Sequence, residues 1–265
     1  MAGCRHVGKL VEAIAVIRLI RIVLLPALTV CLLGLPNPGR AAEAFSPAQR
    51  AEIVSILRDA LTADPSILRD AMAALQTAEQ RQQEADAAAR VAANSAKMID
   101  PADPVAGNPQ GDVTIVEFFD VRCPYCKRME QPMAELLKRD RGVRLVYKDL
   151  PVLGPASVLG AKALLAAQKQ GHYEVFRDAM MHTSAPITEE TIRAEAQRLG
   201  LDAARLVQDM NDPAIAARLK GNQQLAAALA IQGTPALVIG GRLLPGAVDL
   251  AELQQSVAAA RLALK

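Results

Sequence analysis

The sequence predicts an α/β fold that carries a helical insertion and is preceded by an all-α segment. An apolar run, Val113 to Phe119, leads into Cys123-Pro124-Tyr125-Cys126 and then into Lys127 to Arg139, which has helical spacing. A second apolar run, Val143 to Tyr147, is followed by a mostly helical block over about 155–231, two short strand-like runs and a last helix. Upstream, residues 46–98 carry helical periodicity alone.

In chain order, residues 1–42 read as a secretory signal. Arg18 and Arg21 precede an apolar run from Ile22 to Leu35, then Pro36, Pro38, Gly39 and small residues. Ala42-Glu43-Ala44 and Gly39-Arg40-Ala41 are both usable cleavage sites. The run is short for a membrane span, which needs about 20 residues. An uncleaved anchor remains the alternative, because Ile14 to Leu25 extends the apolar stretch. Leu28 to Cys31 makes a poor lipoprotein box, since a bulky residue precedes Cys31. Removing residues 1–42 takes away Cys4, Cys31 and five of the basic side chains, which leaves 25 basic against 27 acidic residues and a single cysteine pair. With 51% hydrophobic content a sizeable core is available, and nothing in the composition points to nucleic acid. The exporting signal implies an oxidising compartment, where a lone cysteine pair has no structural bridges of its own to scramble.

Ser46-Pro47-Ala48-Gln49 has the N-cap, N1 proline and N3 glutamine of a helix start, with Ile53, Ile56, Leu57 and Leu61 at helical spacing to about Thr62. Asp64-Pro65 caps a second helix with Ile67, Leu68, Ala71, Met72 and Leu75 on one face. Positions 75, 78, 82, 85, 89, 92 and 96 continue it as a thin heptad seam to Met98. These faces have too little chain around them to be buried alone, so residues 43–98 are expected to self-associate. Packing on the following domain, or service as a solvated spacer, is the competing expectation. Asp100 to Gly111 holds three prolines and two glycines in twelve residues, and 99–111 is assigned as a linker.

The domain 112–265 then runs strand, redox turn and helix, strand, helices Val158 to Gln170, His172 to Met181, Thr188 to Leu199 and Pro213 to Ile231, strands Ala236 to Ile239 and Arg242 to Leu244, and a helix from about Asp249. A cysteine at a helix start faces unsatisfied backbone N–H groups and the positive dipole end, which favours its thiolate and makes Cys123 the expected nucleophile. Cys126, one turn on, is placed to close a disulfide with it or to resolve a mixed disulfide. Pro124 suits the first turn. Two blander readings compete. A zinc clip needs four ligands, and only His172 and His182 remain, at unsuitable spacing and read as surface or packing residues; no metal and no cofactor are expected. A structural disulfide would close too short a loop to stabilise much.

Glu117 shares a face with Val113, Ile115 and Phe119 in a strand whose apolar neighbours place it centrally. Burial there raises a carboxyl pKa and fits it to exchange a proton with Cys126; a buried ion pair without that role is the alternative. Glu130, by spacing, reads as a solvated helix residue. Thr234-Pro235 reads as an ordinary loop before the third strand.

The motifs E-F-F-D-x-x-C-P-Y-C, K-D-L-P-x-L-G-P-A-S and G-T-P-A-x-V-I-G-G stand in an order that resembles the DsbA family of thiol-disulfide oxidoreductases, with a thioredoxin-like fold over residues 112–265. The added helices resemble its ScsC-like branch, whose members include trimeric disulfide isomerases, which implies a homotrimer. The resemblance further implies a cis-proline at Pro235 with the Thr234 backbone offered to clients, Glu117 and Glu130 as supporting acids, and Lys148 as a lysine on the next strand. Tyr125 stands where oxidising relatives carry histidine, which implies a less oxidising pair and isomerase or reductase work on exported cysteine-containing clients, supplied by a membrane reductase. An oxidase recharged by a quinone-linked membrane partner is the alternative. A helical scaffold or holdase with an incidental thiol domain is the reading from a different class.

Overall fold

The computed structural model describes residues 45–263. The proposed signal, with Cys4 and Cys31, lies outside the described residues. The chain divides between Ala73 and Ala74 into two units.

The first unit holds α1 (Pro47–Ala63) and the start of α2 (Ser66–Ala93). The capping box is as expected: Gln49 N–H donates to Ser46 Oγ, and Ser46 N–H to Gln49 Oε1. Asp64 accepts the Ser66 N–H at 3.0 Å and so opens α2. Ile53, Ile56, Leu57, Leu61, Ile67, Leu68 and Met72 are all exposed, and α1 has no buried residue.

In the second unit α2 does not continue to Met98 as its periodicity predicts. Asn94 leaves helical geometry at φ −109° and ψ 11°, its amide donates to the Arg90 carbonyl, and a short α3 (Ser95–Met98) follows. The heptad seam 75–96 is open to solvent except at its margins, whereas Val91 and Met98 are buried against the sheet domain and Arg90 donates to the Leu229 carbonyl. Packing on the following domain thus holds for the last turns of this segment.

The stretch 99–111 is more than a linker. It contains β1 (Val105–Gly107), which lies between Pro104 and Pro109 and pairs antiparallel with residues 144–146 at the sheet edge. Five strands follow the order β1-β3-β2-β4-β5, with β2 (Val113–Phe119), β3 (Val143–Asp149), β4 (Ala236–Ile239) and β5 (Arg242–Pro245). β2 and β3 are parallel, and β4 and β5 join antiparallel. As predicted, β2 is central and covered on both faces.

One face receives α4 (Pro124–Arg139), α10 (Leu250–Ala263) and the insertion: α5 (Pro155–Gln168), α6 (Tyr173–His182), α7 (Glu189–Arg198) and α8 (Ala203–Asp209). The short α8 escaped the sequence reading. The other face packs Val116, Phe118 and Val146 against Leu225, Ala226 and Leu229 from α9 (Pro213–Ala228) and the residue after it. Gly240 combines φ +54° with an approach so close that a Cβ would strike Ala260, so β4 turns tightly under α10. Gly160 lets α5 lie against Val121, whose Cγ1 would be 2.6 Å from an added Cβ, two residues before Cys123 at the sheet's end.

Candidate active site

Cys123 is the N-cap of α4, with φ −70° and ψ 121°, and Pro124 stands in the first turn where it removes no needed donor. Both cysteines are free thiols, buried where β2 meets α4. Cys123 is only 4% exposed because its sulfur turns inward, donating to the Thr234 carbonyl at 3.2 Å. The Thr234–Pro235 bond is cis, as the resemblance implied, and the loop stands beside the turn because β4 runs antiparallel to β2 with Ala236 opposite Phe118. Beside it lies an apolar groove of about 310 Å³ lined by Tyr125, Ile231, Pro235 and Leu243 among others.

Asp120 fixes the turn from below. Its carboxylate accepts three backbone N–H groups: Arg122 at 2.8 Å, Val152 at 2.9 Å and Leu153 at 3.0 Å. Its carbonyl accepts the Cys123 N–H at 2.9 Å, and its backbone counters the rise of the Cys126 thiol. Arg122 closes the ring by donating to the Leu153 carbonyl. The sequence shows Asp120 only as part of a motif and gives no sign of this role.

Burial pushes the Cys126 thiol well above its ordinary range. The charges of Cys123 and Glu117 push the same way, against the Asp120 backbone and Thr234. Glu117 is fully buried, as expected, and burial raises its carboxyl to about 7 against the pull of Arg177. Its Oε1 has no hydrogen-bond partner.

Sequence reasoning missed Arg177. Its guanidinium, 4% exposed, forks onto Glu130 at 2.8 and 2.7 Å, lies 3.8 Å from Glu117, and rests over the rings of Phe119 and Tyr147 at 4.5 and 4.2 Å. Glu130 is therefore not a solvated helix residue; a buried cation draws it inward. An arginine in a helix bearing Tyr173, Phe176 and Met180 gives no sign in sequence of facing inward, since it arrives from the insertion, 47 residues away. A second buried acid, Asp149, accepts from Tyr173 Oη at 3.0 Å and is raised to about 7 by burial.

Lys148 stands apart from this cluster. The register pairs Glu117 with Tyr147 and Phe118 with Lys148, so Lys148 faces the opposite layer and forms a buried pair with Asp103 at 2.5 Å. A period of two decides this: one residue's shift moves a side chain across the sheet. His182 is exposed and its Nδ1 lies 2.9 Å from the Asp178 carbonyl, while His172 is partly buried with Nδ1 2.6 Å from the Gln170 carbonyl. Among the described residues no cluster of three or more His, Cys, Asp or Glu side chains is arranged to hold a metal.

A mixed five-stranded sheet, a cysteine pair at the start of the helix after its central strand, and a cis-proline opposite define a dithiol protein of the thioredoxin class. The chain belongs to the DsbA-like thioredoxin-domain family, whose model matches residues 114–258. Residues 49–85 match the N-terminal domain of the copper resistance protein ScsC, so this is a DsbA-family chain of ScsC-like build. A thioredoxin-like oxidoreductase from Silicibacter pomeroyi is 44% identical, covers 61% of this chain and 94% of its own, and superposes with a TM-score of 0.60. A Proteus mirabilis ScsC variant with its linker deleted is 28% identical and covers 85% of this chain and all of its own, with a TM-score of 0.60. Among curated proteins, the Na(+)/H(+) antiporter NhaA 3 of Salinispora tropica is 30% identical over 165 residues, 61% of this chain. The chain spans about a quarter of that antiporter's length.

Proposed function

We propose that this protein exchanges thiols and disulfides on exported client proteins through Cys123 and Cys126, working mainly as an isomerase or reductase. The observation that carries the reading is the shared geometry of the Cys123 sulfur, the Thr234 carbonyl and the buried Cys126–Glu117 pair. Cys123, as thiolate, attacks one sulfur of a client disulfide; a mixed disulfide forms and the client's other sulfur leaves as thiolate. Cys126 then gives its proton to Glu117, attacks the Cys123 sulfur and expels the client thiol. The client gains two electrons and the pair becomes a disulfide. In isomerisation a third client cysteine expels Cys123 instead, and the pair stays reduced. Glu117, held near 7, is matched to take up and return that proton at neutral pH. The backbone at Thr234 is placed to pair with an extended client.

Tyr125, Pro124 and Glu130 have supporting parts: Tyr125 borders the groove, Pro124 starts the helix, and Glu130 holds Arg177 near Glu117. Lys148 has none in this reading. The exposed apolar faces of residues 46–75 support self-association, for which the ScsC likeness makes a trimer the natural number. The compartment proposed is the periplasm, with a membrane reductase keeping Cys123 reduced. No helix among the described residues is long and apolar enough to cross a membrane.

Refolding of scrambled ribonuclease by the full chain, by a chain lacking residues 46–75 and by Cys123→Ser, with the redox state of the pair measured in intact cells, tests this. The full chain should restore activity, the truncated monomer should restore less and oxidise more, and Cys123→Ser should restore none. A pair found oxidised in cells assigns the protein to oxidation instead. Rescue by Cys123→Ser equal to wild type would leave the helical segment as a holdase.

A further inference from the structure

The redox turn is ringed by positive charge that the exchange chemistry just described does not use. Arg122 immediately precedes Cys123, and Lys127 and Arg128 immediately follow Cys126. Each cation is held by a neutral group. Arg122 donates to the Leu153 carbonyl at 2.8 Å, Lys127 to the Thr183 carbonyl at 3.0 Å, and the Arg128 guanidinium lies 4.2 Å over the Tyr125 ring.

None of the three has a carboxylate partner among the described residues, although surface arginines elsewhere do, as in Arg193 with Glu189 and Arg261 with Asp112. Acids around the turn are already engaged. Asp120 is saturated by backbone N–H groups, Glu130 is forked by Arg177, and Asp178 on α6 faces His182. The start of α4 adds the positive end of its dipole. Three uncompensated cations within seven residues contrast with residues 43–265, which hold 25 basic and 27 acidic side chains.

We propose that Arg122, Lys127 and Arg128 form a cationic collar that selects client segments carrying carboxylates beside the reactive cysteine. The inference rests on the thiol-exchange reading and names its preferred substrate class. Tyr125 and Arg122 sit on the solvent side, with Arg128 stacked on the one and the redox cysteine following the other, so an extended segment whose sulfur meets Cys123 brings its flanking residues to these charges. Facing cations stabilise a flanking carboxylate and raise the encounter rate, and both effects fall with salt. A lysine-flanked segment meets repulsion at the same positions.

The rate of disulfide reduction by the reduced full chain is to be measured for two peptides that differ only in glutamate or lysine on both sides of the cysteine. At low salt the glutamate peptide should react about tenfold faster, and the ratio should approach one in about 1 M salt. Arg128→Gln should lower the ratio, and the triple variant Arg122→Gln, Lys127→Gln, Arg128→Gln should abolish it. The ratio is taken within each variant, so a general loss of folding lowers both rates and leaves it unchanged. A wild-type ratio near one, or a ratio that survives in both variants, overturns the collar while leaving exchange intact. If neither peptide reacts, the exchange reading falls and the collar with it.

Discussion

Arg177 joins two acids that the sequence places on different elements: it forks onto Glu130 of α4 and holds its Nη2 3.8 Å from Glu117 of β2. This cation is what keeps the Glu117 carboxyl from rising further, since burial alone drives it up and the Glu130 charge adds to that. Removing it leaves a buried acid with no counter-charge. Arg177→Met should therefore destabilise the protein by about 3–5 kcal/mol, the range for breaking one side of a buried pair. The pH at which the resolving step reaches half its full rate should move upward. Urea titration gives the first quantity and the pH profile of mixed-disulfide resolution the second. An unmoved profile would detach Arg177 from the chemistry.

Glu117 makes stability depend on pH with a definite sign. Its carboxyl is raised from 4.5 to about 7 by burial, so the folded chain keeps a proton that the unfolded chain releases. The stabilisation is complete below about 4.5 and is lost as pH rises through about 7, on the order of 3 kcal/mol in all. Asp149, raised to about 7 by burial, acts in the same direction. Glu117→Gln should remove the Glu117 share of this slope and leave that of Asp149. Denaturation midpoints of reduced wild type and variant between pH 4.5 and 7.5 measure it, and parallel curves would sink the assignment.

The redox turn, the central strand and the capping box were legible because each is local: a period of two, a period of 3.6, and a cap with its N3 partner. Glu117 was legible for the same reason, as a polar residue in an apolar strand. Arg177 was not, because its partners lie 47 and 60 residues away and only the docking of α6 on α4 brings them together. Lys148 was legible as a lysine on the next strand but its face was not, because the parallel register with β2 is what puts it on the far face with Asp103. That pairing also explains β1: residues that look like a proline-rich linker are held by a buried charge at Asp103 and by three pairs with β3. The break at Asn94 depends on a side chain capping its own helix, which a heptad count does not register.

Asp120 ties the redox turn to the loop at Val152 and Leu153. One carboxylate accepts the N–H groups of Arg122, Val152 and Leu153, and the backbone of the same residue acts on both cysteines. Asp120→Ala leaves buried donors without acceptors, at a cost of about 1–3 kcal/mol for each group that water does not reach. Asp120→Asn offers one acceptor oxygen and turns an N–H₂ toward the other donors, so it should recover only part of that loss. With the turn loosened, the Asp120 backbone no longer supports the Cys126 thiolate, and resolution should slow more than the attack by Cys123. Mixed disulfide with a client peptide should then persist several-fold longer in Asp120→Ala, as followed by mass spectrometry after acid quenching, with Asp120→Asn between it and wild type. Equal slowing of both steps would reduce Asp120 to a structural tether.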